Sequence, residues 1–348
     1  MSWDNVTGVS TAYIWTDNPD MTQAYLFANG NHQVKVTVGV SFNLQGEGPT
    51  EDEVKAAISL LNYNTSAEIS HLKPVGQGEY LSVYLPNMPE QPKAMADSSG
   101  KIYQYEFDYY FSSDSDINPN FLSEQVAVLI SYTNADGKSE YSTASGSSWQ
   151  SYVAVAVYSP KKYGMINSTS TPIVLKLKDD QPDARVVANV DYVKDAKISS
   201  TKVYSLRIDD SYFRIVTLNA SDTVATNNGF YRDGSKNGGV QSGYQPYNIH
   251  ESYLIADNKV NQGRKSYTST FYIVPGENEA YWFSTQVNIH QEPNEIIFVS
   301  FSGSASSSTG TFTNDHSSAD FTVYDQFGNQ LNITVTASND DLSVSSVE

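Results

Sequence analysis

Val34-Lys35-Val36-Thr37-Val38-Gly39-Val40-Ser41-Phe42 is the stretch from which the rest of the chain is read. Every second residue is apolar, and those between are small or polar. A period of two places one row of side chains in a core and the other in water, which is the pattern of a half-buried β-strand. The same texture recurs outward from it. Tyr103, Tyr105, Phe107 and Tyr109 alternate with Gln104, Glu106 and Asp108. Residues 125–130 (QVAVLI) are more continuously apolar and read as a strand buried on both faces. In 151–158 (SYVAVAVY) alanines alternate with valines, so a second sheet or subunit could approach the alanine face closely.

The second half has the same character, with strands expected at 203–208, 212–218, 266–274, 281–289, 295–301, 320–324 and 330–336. Clusters of Gly, Asn, Asp and Ser separate them and supply the turns that hairpins need. The expected class is all-β, built as two tandem antiparallel β-sandwich domains of Ig-like or jelly-roll type. A chain of 348 residues suits two such domains. The expected division is 1–178 and 179–348, with the boundary region between 160 and 184.

One helix is signalled. Thr50 stands as N-cap with Glu53 three residues on, a capping box followed by acids in the first turn. Val54, Ala57, Ile58 and Leu61 then fall at helical spacing, so the expectation is a short structural helix over 51–61. The region 225–248 carries three glycine-bearing turn signals and reads as a long loop. Tyr103 to Phe107 and Tyr267 to Phe271 each precede a Ser-x-Gln-Val strand, an echo that suggests a duplicated half.

Charge and cysteine usage narrow the function classes. The 21 basic and 39 acidic residues give a net charge of −18, which disfavours nucleic acid and anionic membrane surfaces as partners. Cysteine is absent, which removes disulfides, thiolate metal sites and a cysteine nucleophile, and suits a bacterial or phage product. The first residues lack the basic and apolar regions of a Sec signal peptide, and no run reaches the roughly 18 apolar residues of a membrane helix. The expected location is therefore cytoplasmic until release or assembly, or virion or extracellular by a non-Sec route.

No catalytic constellation emerges. The G-x-S-x-G, S-x-x-K and P-loop templates are missing, and His32, His71, His250, His290 and His316 are scattered. The best metal candidate is Asp114-Ser115-Asp116-Ile117-Asn118, whose oxygen ligands at alternate positions match the opening of a calcium loop. Pro119 and Gln125 depart from the rest of that pattern, so calcium on Asp114, Asp116 and Asn118 stands beside a plain turn as the alternative. No other cofactor is indicated. Aromatics beside polar groups, Tyr244 and Tyr247 in one segment and Tyr281 and Trp282 in another, suit a glycan or a protein interface as well as a sandwich core.

Phe321 to Val335, with Asp325, Gly328 and Asn329 at its centre, resembles the D-x-x-G-N hairpin common in bacterial Ig-like domains of adhesins. The resemblance spans some fifteen residues and implies an Ig-like final hairpin. The leading expectation is a non-enzymatic bacterial or phage protein acting by self-association or surface binding: a virion or particle component, an adhesin or an inclusion-forming protein. It would form a homo-oligomer or meet a particle partner. One alternative is a carbohydrate-binding or glycan-degrading protein. The other is a toxin-like protein that oligomerises on a membrane through an amphipathic hairpin near 300–313.

Overall fold

The stretch 34–42 lies within the strand Val34–Leu44, and its inward row is the observed one: Val36, Val38 and Val40 are fully buried and Val34 and Phe42 nearly so, while in the other row Lys35 and Ser41 are partly exposed and Thr37 and Gly39 are covered. The computed structural model describes residues 2–16, 22–81, 103–114, 121–165, 170–179, 184–188, 193–220, 229–236, 245–255, 263–273, 281–291, 295–307, 318–338 and 341–347. Among these the chain is almost entirely β, with one α-helix, α1 (Glu51–Ala57), and a short 3-10 turn, Ser2–Asn5. It divides into two compact units: Met1–Lys161 with Phe327–Asn329, and Lys162–Gln326 with Gln330–Glu348.

The first unit holds β1 (Val6–Trp15), β2 (Gln23–Phe27), β3 (Val34–Leu44), β4 (Ile58–Asn62), β5 (Lys73–Val75), β6 (Tyr105–Ser112), β7 (Phe121–Asn134), β8 (Gly137–Ser142) and β9 (Val153–Tyr158). One sheet runs β1-β3-β6-β5; the other runs β2-β9-β7-β4, with β8 on β7. Their apolar faces share one core: Ile14 of β1, the valines of β3 and Phe107 and Phe111 of β6 meet Leu26, Val126, Val128, Ile130 and the valines of β9. At roughly 1.5–3 kcal/mol for each fully buried aliphatic or aromatic side chain, this core dominates the unit's stability. The strand read as buried on both faces is so, because Ala127 packs outward with Leu61 and Ala144 in a small second cluster.

Two bulges shape β1. Its register against β3 slips between Val6 and Gly8 and between Val9 and Thr11. The second slip hands the inward row from Val9 to Ala12 and Ile14, and so turns Thr11, Tyr13 and Trp15 to the sheet's outer face.

The helix is shorter than its periodicity suggests. Its capping box forms, Glu53 N donating to Thr50 Oγ1 and Thr50 N donating to Glu53 Oε2 at 2.8 Å. The backbone then turns extended at Ile58, where φ is −91° and ψ 129°. Ile58 and Leu61, which continue the helical stripe in sequence, instead pair with Ile130 and Ala127 as β4. Short apolar runs fit either period, and here the ladder offered by β7 decides.

The second unit holds β10 (Tyr163–Gly164), β11 (Thr171–Asp179), β12 (Ala184–Ala188), β13 (Val193–Ile208), β14 (Ile215–Ala220), β15 (Gly229–Lys236), β16 (Gln245–Ile255), β17 (Gly263–Ile273), β18 (Tyr281–Gln291), β19 (Ile296–Ser307), β20 (Ser318–Asp325), β21 (Gln330–Ser338) and β22 (Asp341–Val347). Its sheets run β10-β11-β13-β19-β16-β15, β12-β18-β17 and β14-β20-β21-β22. Phe298 and Phe321, centroids 5.4 Å apart, join the cores of the first and last of these. Buried Glu295 accepts from Ser205 Oγ at 2.6 Å and pairs with Lys178.

Three expectations are corrected. Pairing is not wholly antiparallel, since β2 with β9 and β10 with β11 run parallel. The long loop at 225–248 contains β15 and the start of β16, a hairpin whose strands are too polar and glycine-rich to announce themselves by hydrophobic alternation. The duplicated-half reading fails on topology: β6 and β7 lie in separate sheets, whereas β17 and β18 pair directly with each other. The final hairpin is present as β20 and β21, with Gly328 at its turn in the left-handed region at φ +71°. That turn belongs to the first unit, where Asn29 Nδ2 donates to Phe327 O at 3.0 Å and to Asn329 Oδ1 at 2.9 Å.

Candidate functional site

The outer face of the β1-β3-β6 sheet starts from a missing side chain. Gly39 of β3 points outward, between the inward Val38 and Val40, and stands opposite Tyr13 of β1. A Cβ there would lie 2.6 Å from Tyr103 Cγ and 2.8 Å from Trp15 Cζ3, so the glycine is what lets two rings rest on the backbone. The rings form a row. Trp15 lies between Tyr13, at 6.1 Å and 25°, and Tyr103, at 5.3 Å and 24°.

Alternation in sequence sends Tyr103 inward with Phe107. The structure places it on the opposite face, because β6 begins only at Tyr105 and the preceding residues are tied across β3. Gln104 N donates to Ser41 Oγ at 3.1 Å, and Gln104 Oε1 accepts from Phe42 N at 2.8 Å. Burial raises the Tyr103 phenol above its ordinary pKa, with Tyr13 and Glu106 adding to the effect.

The second wall is the loop between β8 and β9. Ser151 N donates to Thr143 O at 3.0 Å, and Ser151 Oγ accepts from Ile14 N at 3.3 Å, which fastens the loop to β1. Ser147 Oγ donates to Ala144 O at 2.7 Å, and Ser145 N donates to Tyr63 O at 2.9 Å. Gly146 takes φ +83° in the tight turn these bonds enclose. Tyr63 Oη donates to Gln150 Oε1 at 3.2 Å, and the Tyr63 ring packs on Tyr152 with centroids 4.4 Å apart. On this fixed loop Trp149 remains 43% exposed, one of four large hydrophobic residues so placed among the described residues.

Between the walls lies an open groove of about 700 Å³. Tyr13, Tyr103 and Trp149 supply rings to it, and the β1 bulge adds Ser10 and Thr11. Ser41, Ser148 and Gln150 complete a rim of hydroxyl and amide groups. None of the described lining residues carries a charge, and none forms a nucleophile–base pair. Rings beside neutral hydrogen-bonding groups are the usual furniture of a ligand-binding groove.

The residues singled out in sequence lie elsewhere. Asp114 is exposed, and its carboxylate is paired with Lys73 Nζ at 2.5 Å. The lysine's hydrogen bond holds that carboxyl below the usual range. Asp116 and Asn118 are outside the described residues, as is Tyr244. Among the described residues no group of three His, Asp or Glu is placed to hold a metal ion. Tyr247 lies in β16, paired with Lys236 and Ala305, while Tyr281 and Trp282 lie in β18, paired with Ile273 and Tyr272; their side chains are outside the described residues. Residues 300–307, the start of the stretch read as an amphipathic hairpin, run through β19 with neighbours on both edges, and 308–313 are outside the described residues.

Sequence reasoning missed Trp149, Tyr13 and Tyr103 as a site. The local signal was a lone tryptophan in Ser147-Ser148-Trp149-Gln150-Ser151, where no strand periodicity asks for a large ring. No family model matches the chain, and no curated protein matches it. Among solved structures, a protein of unknown function from Porphyromonas gingivalis W83 is similar at 7% identity, with 93% of this chain and 99% of that chain covered and a TM-score of 0.19. A structure described as manganese lipoxygenase of Gaeumannomyces graminis with partial zonadhesin of Komagataella pastoris aligns at 9% identity, over 98% of this chain and 94% of that chain, with a TM-score of 0.12. At such TM-scores neither likeness bears on fold or function. Among the described residues no helix is long and apolar enough to cross a membrane.

Proposed function

We propose that this chain is a non-enzymatic protein of two tandem, mainly antiparallel β-sandwiches that acts by binding a surface through the groove of its first unit. The observation that carries the reading is Trp149, exposed on a loop whose backbone and side chains are pinned by hydrogen bonds. A large ring held toward solvent forfeits burial, and a fixed loop leaves it no route to cover itself. Tryptophan beside a groove is among the residue types enriched as anchors of recognition surfaces. The groove's uncharged lining supports binding over hydrolysis, since glycosidic cleavage needs two facing carboxylates. An adhesin, or a virion or particle component that meets its target through this face, fits the reading best.

The absence of cysteine makes a direct test simple. Ser148→Cys introduces a single thiol at the groove's rim. Unlabelled, that variant is expected to keep most of its retention on bacterial, epithelial or mucin-coated surfaces, because Ser148 is one hydroxyl of several on the rim. Coupled to a bulky maleimide, it is expected to lose that retention. Undiminished binding after complete labelling would overturn the role of the groove.

A further inference from the structure

We infer that the groove recognises an uncharged glycan, a neutral pyranose stacked on Trp149 with its hydroxyls bonded to Ser10, Thr11, Ser41 and Gln150. The inference rests on the surface-binding reading and names the ligand of that same site.

Three features of the groove select this chemistry. A pyranose has an apolar face of C–H groups and a periphery of hydroxyls, so it needs a flat ring flanked by small donors and acceptors. Trp149 is that ring, and the rim provides the donors and acceptors. Two rim groups are already oriented. The Ser41 hydroxyl accepts from Gln104 N and so keeps its proton for a ligand, while the Gln150 amide accepts through Oε1 and so keeps its N–H groups.

The second feature is charge. The chain carries a net −18, yet none of the described lining residues is acidic or basic. A sialic acid, uronic acid, sulfate or phosphate would bring its charge into a site without arginine or lysine, against the field of the whole protein. A basic peptide would find no carboxylate among the described lining residues to meet its lysines. A neutral polyhydroxylated ligand meets neither penalty.

The third is rigidity. The Tyr13–Trp15–Tyr103 row is seated over Gly39, and the Trp149 loop is fastened to β1. The ordering cost of two walls is therefore met before the ligand arrives, which weak individual sugar contacts require.

The test is a binding screen of the full chain against immobilised neutral oligosaccharides (gluco-, manno-, galacto- and xylo-configured) beside sialylated, uronate-bearing and sulfated counterparts. At least one neutral series is expected to bind, with charged counterparts weaker by about tenfold or more. Trp149→Ala is expected to weaken that binding by at least about tenfold, with Trp149→Tyr recovering most of it. Gly39→Ala is expected to weaken it as well without touching the ligand, by displacing Tyr103. Preferred binding of charged glycans, or no neutral glycan bound, overturns the inference. If surface retention depends on Trp149 but survives periodate and is lost to protease treatment of the surface, the groove reading stands and its ligand is protein. If retention is indifferent to Trp149, the surface-binding reading itself has failed.

Discussion

Gly39 and Tyr109 show at the scale of single residues how the outer and inner faces of one sheet obey different rules. Gly39 is required by two rings rather than by its backbone angle, so adding one methyl there collides with Tyr103 and Trp15. Gly39→Ala is expected to cost about 1 to 3 kcal/mol, as overpacking does, and to appear as a lowered urea midpoint with disturbed near-ultraviolet dichroism. Tyr109 packs against the core, and its buried hydroxyl has no hydrogen-bond partner among the described residues. Tyr109→Phe is therefore expected to be neutral or to gain up to about 1 kcal/mol. Burial also pushes the Tyr109 phenol up to about 12, and the Tyr204 phenol likewise to about 12. A folded pKa above the unfolded value near 10 means the stabilisation is whole below pH 10 and is lost as pH climbs toward 12. Denaturant midpoints across that window should fall less steeply for Tyr109→Phe than for the parent chain; parallel curves would show that Tyr109 ionises in the folded state.

At the scale of elements, α1 and β4 show why part of the fold was legible in sequence and part was not. The capping box at Thr50 and Glu53 is a local interaction, complete within four residues, and it forms as read. Thr50→Ala is expected to cost about 1 kcal/mol, measured as a shift in unfolding midpoint, and a shift indistinguishable from zero would show that packing of Val54 alone holds the helix. The end of the helix is not local. Ile58 and Leu61 satisfy a helical stripe, but β7 lies where they can complete a ladder, and that partner is more than sixty residues away in sequence. The bulges of β1 are hidden for the same reason. They appear only as register slips against β3, yet they turn Tyr13 and Trp15 outward and bring Ser10 and Thr11 to the groove. Strands with strong alternation, such as β3, β20 and β21, were evident; the polar hairpin β15–β16 was not, because nothing in its own residues distinguishes it from a loop.

At the scale of the whole molecule, composition and periodicity were enough for an all-β chain, while the groove needed structure. Its rings come from β1, from the residue pair before β6 and from the loop before β9, three segments that no sequence pattern links. What sequence did offer was a net charge of −18, which disfavours nucleic acid and anionic membrane surfaces as partners. Binding that depends on rings and neutral hydrogen bonds should resist salt. Retention of the full chain on its surface is therefore expected to change less than about threefold between 50 and 500 mM salt, where a charge-driven contact falls far more. The most direct measurement compares surface retention of the full chain with that of Trp149→Ala, alongside the thermal unfolding of each. The account predicts unfolding profiles that coincide, since Trp149 is exposed, and retention that drops by at least about tenfold. Coincident unfolding with undiminished retention would contradict it.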